Sequence, residues 1–227
     1  MTNTKLIQLA SEYFDTTETV IKNRIKVSQS NLNKEWEDKE SIDSFYRNAE
    51  HYIYDLINYN TEERIEQIIY PIKHLSSNKI LDFGAGIGEI SMVLSEKSND
   101  VYYYDISIHS KKFAEFVSDK TDRQLTFLDE LSEAMTHRFD VIIATDVLEH
   151  LKDPMTYVKL FETSLNDNGL FVTTGLDFSI SPELPMHHKS NLLIKKEYND
   201  YIHTHFKLLF YHVTDNQIVY VWEKRYI

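Results

Sequence analysis

Apolar and polar positions follow two different patterns, and the change falls near residue 75. Before it, apolar residues recur every three or four positions: Trp36, Ile42 and Phe45-Tyr46, then Tyr52, Leu56 and Tyr59, then Ile65, Ile68, Ile69 and Ile72. That spacing puts each set on one helical face, and the region predicts three or four helices. Asp15-Thr16-Thr17-Glu18 offers a helix start, with Asp15 as the cap and Glu18 in the capping-box position. Pro71 blurs the end of the last helix, and Ser76-Ser77-Asn78 reads as a loop.

From Lys79 the pattern changes to short apolar runs separated by amphipathic stretches. KILDFGAGIGEI is a strand, a glycine turn and a helix start; VYYYDIS is a second strand, followed by a helix through 111–117. LTFLDEL supplies a third strand. FDVIIATDVLEH supplies a fourth, nearly continuous in apolar residues as a strand covered on both faces should be. Asp153-Pro154 opens a helix through Val158 and Phe161, and Asn168-Gly169 turns into a fifth strand, LFVTTGL. After a helix around 195–203, KLLFYHV and QIVYVWEK flank Thr214-Asp215-Asn216 and predict a β-hairpin. Strands separated by helices mean βαβ units. The expected fold is α/β: a mostly parallel seven-stranded sheet closed by a C-terminal antiparallel hairpin. Residues 1–75 are expected to form a helical lid over residues 76–227.

Composition narrows the chemistry. The 227 residues hold no Cys, which excludes disulfides, thiolate metal sites and a cysteine nucleophile. With 24 Lys+Arg against 36 Asp+Glu the formal charge is −12, and there is no basic tract. Binding to nucleic acid or an anionic membrane is therefore not expected. The longest apolar runs are too short to span a bilayer, and the N-terminus lacks a basic stretch followed by an apolar one. A cytoplasmic protein, monomeric or homodimeric, acting on a small molecule is expected.

Gly84, Gly86 and Gly88 lie between the first strand and the helix opening at Glu89-Ile90. Glycines there permit backbone angles closed to other residues and let the main chain approach a ligand. The spacing is neither that of dinucleotide-binding loops nor that of phosphate-binding loops, and no Lys-Ser or Lys-Thr pair follows. Asp105 ends the second strand, where adjacent strand ends share one crevice and a carboxylate can accept hydrogen bonds from both hydroxyls of a ribose. Asp82 sits beside the loop, placed to receive a cationic amino group.

ILDFGAGIGEIS (80–91), VYYYDIS (101–107), FDVIIATDVLEHLKDP (139–154) and NGLFVTTG (168–175) together resemble the class I S-adenosylmethionine-dependent methyltransferases, in particular the small-molecule enzymes of the ubiquinone-methylase kind. The resemblance implies a Rossmann-like fold and S-adenosylmethionine as cofactor, with S-adenosylhomocysteine as product. It implies that Asp82, Gly84, Ala85, Gly86 and Gly88 surround the methionine moiety and that Asp105, with Ile106, holds the ribose. It also implies that Leu128 and Asp129 flank the adenine and that Thr145 with Asp146 closes over the methionine part.

Candidates for the acceptor side are histidines. His150, beside Glu149, reads as loop support or as a catalytic group. His187 and His188, in FSISPELPMHHKSN between Pro182, Pro185 and the next helix, read as proton acceptors near the transferred methyl, because imidazole titrates near neutral pH. They read equally as surface-loop histidines without a role. Asp146 and Asp177 supply two oxygens but no third ligand, so a metal is not expected. The expected reaction is in-line methyl transfer to an O, N or acidic C of an aromatic or partly apolar metabolite. The alternatives are methylation of a peptide or protein side chain, and a non-catalytic methyltransferase-like protein acting in a complex.

Overall fold

The computed structural model describes residues 1–174, 186–188, 190–214 and 217–226. Five helices come first: α1 (Asn3–Tyr13), α2 (Glu18–Glu37), α3 (Ile42–Asn48), α4 (Tyr52–Tyr59) and α5 (Glu62–Ile69). The chain then alternates through β1 (Lys79–Phe83), α6 (Glu89–Ser95), β2 (Asp100–Tyr104), α7 (Ile108–Lys120), β3 (Leu125–Phe127) and α8 (Leu131–Ala134). It continues through β4 (Phe139–Ala144), α9 (Pro154–Ser164), β5 (Leu165–Thr174), α10 (Asn191–His205), β6 (Phe206–Val213) and β7 (Ile218–Lys224). The seven strands form one sheet in the order β3-β2-β1-β4-β5-β7-β6. β1 to β5 are parallel, and β7 runs antiparallel between β5 and β6. The expected sheet and closing hairpin are both present.

Side chains alternate across that sheet with the period of two that strands impose. Leu81, Phe83, Tyr102, Ile142 and Phe171 face α9 and α10 in one core. Ile80, Val101, Val141, Ile143 and Val172 face α5 and α6 in another. Asp82 shares this second face, and its carboxylate accepts the Ser91 hydroxyl of α6 at 2.6 Å.

The N-terminal region departs from the sequence reading. It holds five helices, because Thr2 caps an additional α1 whose Leu6, Leu9 and Ala10 are buried. α2 is capped by Thr17, whose hydroxyl accepts from the Val20 N–H. Asp15, the expected cap, sits in the turn before it at φ +47°. Ser41 caps α3 and splits the stretch read as one helical face, and Trp36 and Phe45 meet edge to face across the break. α1, α2 and α4 share a core with Phe113, Ala114 and Val117 of α7, so these helices are packed onto the α/β body. β5 also begins earlier than expected, at Leu165, and carries Asn168 at φ +59° inside an irregular stretch of its pairing with β4.

Candidate functional site

A cavity of about 550 Å³ lies at the carboxyl ends of β1, β2 and β4, with residues of α2 to α5 forming the opposite wall. It brings together ten of the residues expected from the sequence. Asp82, Gly84, Ala85 and Gly86 line it from β1 and its loop, and Asp105 and Ile106 from the end of β2. Thr145, Asp146 and His150 come from the segment after β4, and His187 from the turn before α10.

The glycine loop is held by hydrogen bonds from β2. The Gly84 N–H donates to the Tyr104 carbonyl at 2.8 Å, and the Tyr103 hydroxyl donates to the Gly86 carbonyl at 2.6 Å. Gly84 has φ +70°, and a Cβ there would lie 2.5 Å from a methyl of Val147, so only glycine fits the turn. Asp105 does more than face the cavity. Its two oxygens accept the Gly86 and Ser107 N–H groups, each at 2.7 Å. Burial pushes its carboxyl above the ordinary range, and these two donors oppose that shift. Burial also pushes Asp82 up, to about 6.

Arg64 and Glu89 were not anticipated. Arg64 of α5 is nearly buried, pairs with the Asp146 carboxylate, and donates to Asn60 Oδ1 at 2.9 Å and Gln217 Oε1 at 3.3 Å. Its guanidinium lies 4.3 Å from the Tyr59 ring centre. Asp146 is held from the other side by Thr174, whose hydroxyl donates to Oδ1 at 2.9 Å and accepts the Asp146 N–H at 2.8 Å. The sequence signal was present: Arg64 stands one turn before Ile68 on an otherwise apolar stripe. Glu89 opens α6 and is only 2% exposed, and neither of its carboxylate oxygens makes a hydrogen bond of good geometry. The Nε of Arg64 and the Nε2 of Gln217 are likewise buried without partners. The cavity wall therefore offers unmet donors and acceptors together, a fit for a ligand carrying both charges.

Burial pushes Glu89 from 4.5 up to about 8, and the chain's ammonium terminus, the nearby Asn60 side chain and Arg64 offset only part of that. Because the native carboxyl holds its proton more tightly than the unfolded one, its contribution to stability is full below about 4.5 and is lost as pH rises through about 8. Glu89→Gln removes that dependence. The melting temperature of the variant minus that of the parent should rise between about pH 5 and about pH 9. A difference independent of pH would show that Glu89 titrates normally.

Glu149, His150 and His187 converge, with one ligand atom of each within 4.8 Å of the others. The His188 N–H and the Asn191 amide both donate to the Glu149 carbonyl, at 3.1 and 3.0 Å. These bonds tie the turn before α10 to the turn after β4 and bring the His187 ring to 5.1 Å from His150. Among the described residues this trio is the set that could hold a divalent cation; Asp177 lies outside the described residues, as do Pro182 and Pro185. His150 Nδ1 is 2.8 Å from the Tyr46 hydroxyl and 3.2 Å from the Met186 carbonyl. Burial holds this imidazole down to about 4, so it is neutral at pH 7. Burial also drives the Tyr46 and Tyr52 phenols far above their ordinary value of 10, and the carboxylates of Asp105, Asp55, Asp146 and Glu149 add to the shift at Tyr52.

Four expected site residues do not line the cavity. Gly88, at φ +80°, has its Cβ direction filled by Ala114 of α7, 3.2 Å away. Leu128 is buried in the core on the α9 side of the sheet, and the carbonyl of the same residue accepts Lys111 Nζ at 2.9 Å. The Asp129 carboxylate is exposed and paired with Lys111, which holds it below the ordinary carboxylate range. His188 points into the protein, with a buried Nε2 that has no partner.

A parallel sheet with an antiparallel C-terminal hairpin, a glycine loop after the first strand and an acid after the second define a nucleotide-cofactor site of the methyltransferase type. Residues 45–212 match the family model described as a methyltransferase domain, and the chain belongs to that family. Among curated relatives, the ubiquinone biosynthesis O-methyltransferase of Idiomarina loihiensis is 30% identical over 105 residues, covering 44% of this chain and 43% of that protein. The mitochondrial enzyme of the same name from Bos taurus is 30% identical over 112 residues, covering 46% of this chain and 30% of that protein. The chain thus matches less than half the length of these relatives. In fold it is similar to TehB from Haemophilus influenzae (TM-score 0.56, 22% identity, 77% of this chain and 67% of that one). It is also similar to the magnesium protoporphyrin IX methyltransferase of Synechocystis with bound S-adenosylmethionine (TM-score 0.56, 15% identity, 97% of both chains). Among the described residues no helix is long and apolar enough to cross a membrane.

Proposed function

We propose that the protein transfers a methyl group from S-adenosylmethionine to a small acceptor, acting as a cytoplasmic monomer or homodimer without a nucleic-acid or membrane partner. The observation that carries this reading is the single cavity in which the glycine loop, Asp105 and the unmet polar atoms of Arg64, Glu89 and Gln217 meet. Asp105 would hold the ribose hydroxyls while continuing to bind the loop. Arg64 and Gln217 would hold the carboxylate of the methionine end, and Glu89 and Asp82 its ammonium. When bound, the cofactor supplies an activated methyl, whose bond to sulfur breaks as the acceptor atom bonds to carbon and the electron pair stays on sulfur. The chain's remaining work is alignment, exclusion of water and removal of one proton.

Residues 1–75 act in this reading as the roof of the acceptor space, through Tyr46, Tyr52 and Tyr59. A walled cavity of this size supports a small metabolite over an extended peptide. The intact loop and Asp105 support catalysis over a non-catalytic role. Calorimetry with S-adenosylhomocysteine should give one site per chain with Kd near about 1 μM, roughly −8 kcal/mol. No heat at millimolar ligand would refute the reading.

A further inference from the structure

Carboxyl groups dominate the ionisable side chains on the walls of this cavity. Asp43, Asp55, Asp82, Glu89, Asp105, Asp146 and Glu149 all line it, and Arg64 is the one Lys or Arg among its described lining residues. Arg64 is already matched by Asp146. If the cofactor is held as proposed above, Glu89, Asp82 and Asp105 are engaged at its end of the space. That leaves Asp43 on α3, Asp55 on α4 and Glu149 after β4 around the rest. Four of the seven carboxylates, those of Asp55, Asp105, Asp146 and Glu149, act on the phenol of Tyr52, which places that ring among them. The same wall is aromatic: Tyr46, Tyr52, Tyr59, Tyr104 and Tyr157 contribute rings, with His150 and His187 beside them.

We propose that the acceptor carries an amine that binds as its ammonium cation, ringed by the tyrosines and facing Asp55, Asp43 and Glu149, whichever of its atoms receives the methyl. An acceptor bearing a carboxylate or phosphate would have to enter a space lined by carboxyl groups, whose one described Lys or Arg is already paired with Asp146, and removing such an ion from water is costly. An ammonium group reverses both terms, because carboxylates attract it and aromatic faces bind cations. The inference rests on the methyltransferase reading for the word acceptor. The charge preference itself belongs to the cavity.

Two probes of matched shape, tyramine and 4-hydroxyphenylacetate, test it. Each is titrated calorimetrically into EDTA-treated protein, with and without saturating S-adenosylhomocysteine. Tyramine should bind at least about tenfold more tightly, equivalent to about 1.4 kcal/mol, and its affinity should fall with added salt as exposed charges are screened. Asp55→Asn and the more exposed Asp43→Asn should each shrink that preference, with circular dichroism confirming that each variant is folded. Equal or tighter binding of the carboxylate, or no binding of either probe at millimolar concentration, overturns the proposal. So does amine binding that appears only after Mg²⁺ or Zn²⁺ is added back, which would give the wall's charge to a metal on Glu149, His150 and His187. Failure of S-adenosylhomocysteine to bind refutes the methyltransferase reading separately, and the amine preference is then read from the titrations without it.

Discussion

His187→Ala should lower kcat by about 10²–10⁴-fold, while affinity for S-adenosylhomocysteine stays within about twofold. The groups compared are the described imidazoles and phenols at the cavity. His150 is held near 4 by burial and is a poor proton acceptor at neutral pH. The Tyr46 and Tyr52 phenols are driven upward and keep their protons at neutral pH. His188 faces away from the cavity and binds the Glu149 carbonyl through its backbone. His187 is the remaining described imidazole that lines the cavity, and imidazole is the side chain most often used as a general base. If it orients the acceptor instead, KM will rise more than kcat falls. A kcat unchanged in the variant would remove it from the reaction.

Asp105→Ala should weaken cofactor binding by about 10–150-fold, the loss of charge-assisted hydrogen bonds together worth about 1.5–3 kcal/mol. The sequence alone predicts this through the ribose. The structure adds a second route, because the same carboxylate holds the Gly86 and Ser107 N–H groups. Asp105→Asn separates the two, since its amide oxygen can keep one of those backbone bonds while the negative charge is gone. The asparagine variant should therefore lose less affinity than the alanine variant, measured by calorimetry with S-adenosylhomocysteine. Affinity within twofold of the parent for both would place the ribose elsewhere.

The sheet was legible because each strand's burial is written in consecutive apolar residues, and because the glycine loop sits where the period changes from two to helical. The crevice residues on that sheet, Asp82 to Gly86 and Asp105, were legible for the same reason. The chain after β3 was not. That strand is three residues long, too short to fix which way the next side chains point, and Leu128 went into the core while Asp129 went to solvent. Adjacent histidines posed a similar problem: nothing local decides that His187 faces the cavity and His188 the protein. α1 was missed because its apolar stripe, Leu6, Leu9 and Ala10, finds its partner a hundred residues away on α7. Arg64 and the tyrosines of the roof belong to the site only through the way helices pack, which residue spacing does not encode.

The packing of the roof bears on how this protein could be re-engineered. Leu6, Leu9, Ile21, Ile53 and Ile57 fill one core with Phe113, Ala114 and Val117 of α7, while α4 also presents Tyr52, Leu56 and Tyr59 to the cavity. The helices that wall the cavity are thus also structural members of the body beneath them. They are not a cassette. A chimaera that imported the first 75 residues of a relative would bring foreign apolar surfaces onto α7, leaving gaps or clashes in a core packed to fit. Acceptor preference can be transplanted only together with the facing residues of α7, so a change of specificity by wholesale exchange would first register as a failure to fold.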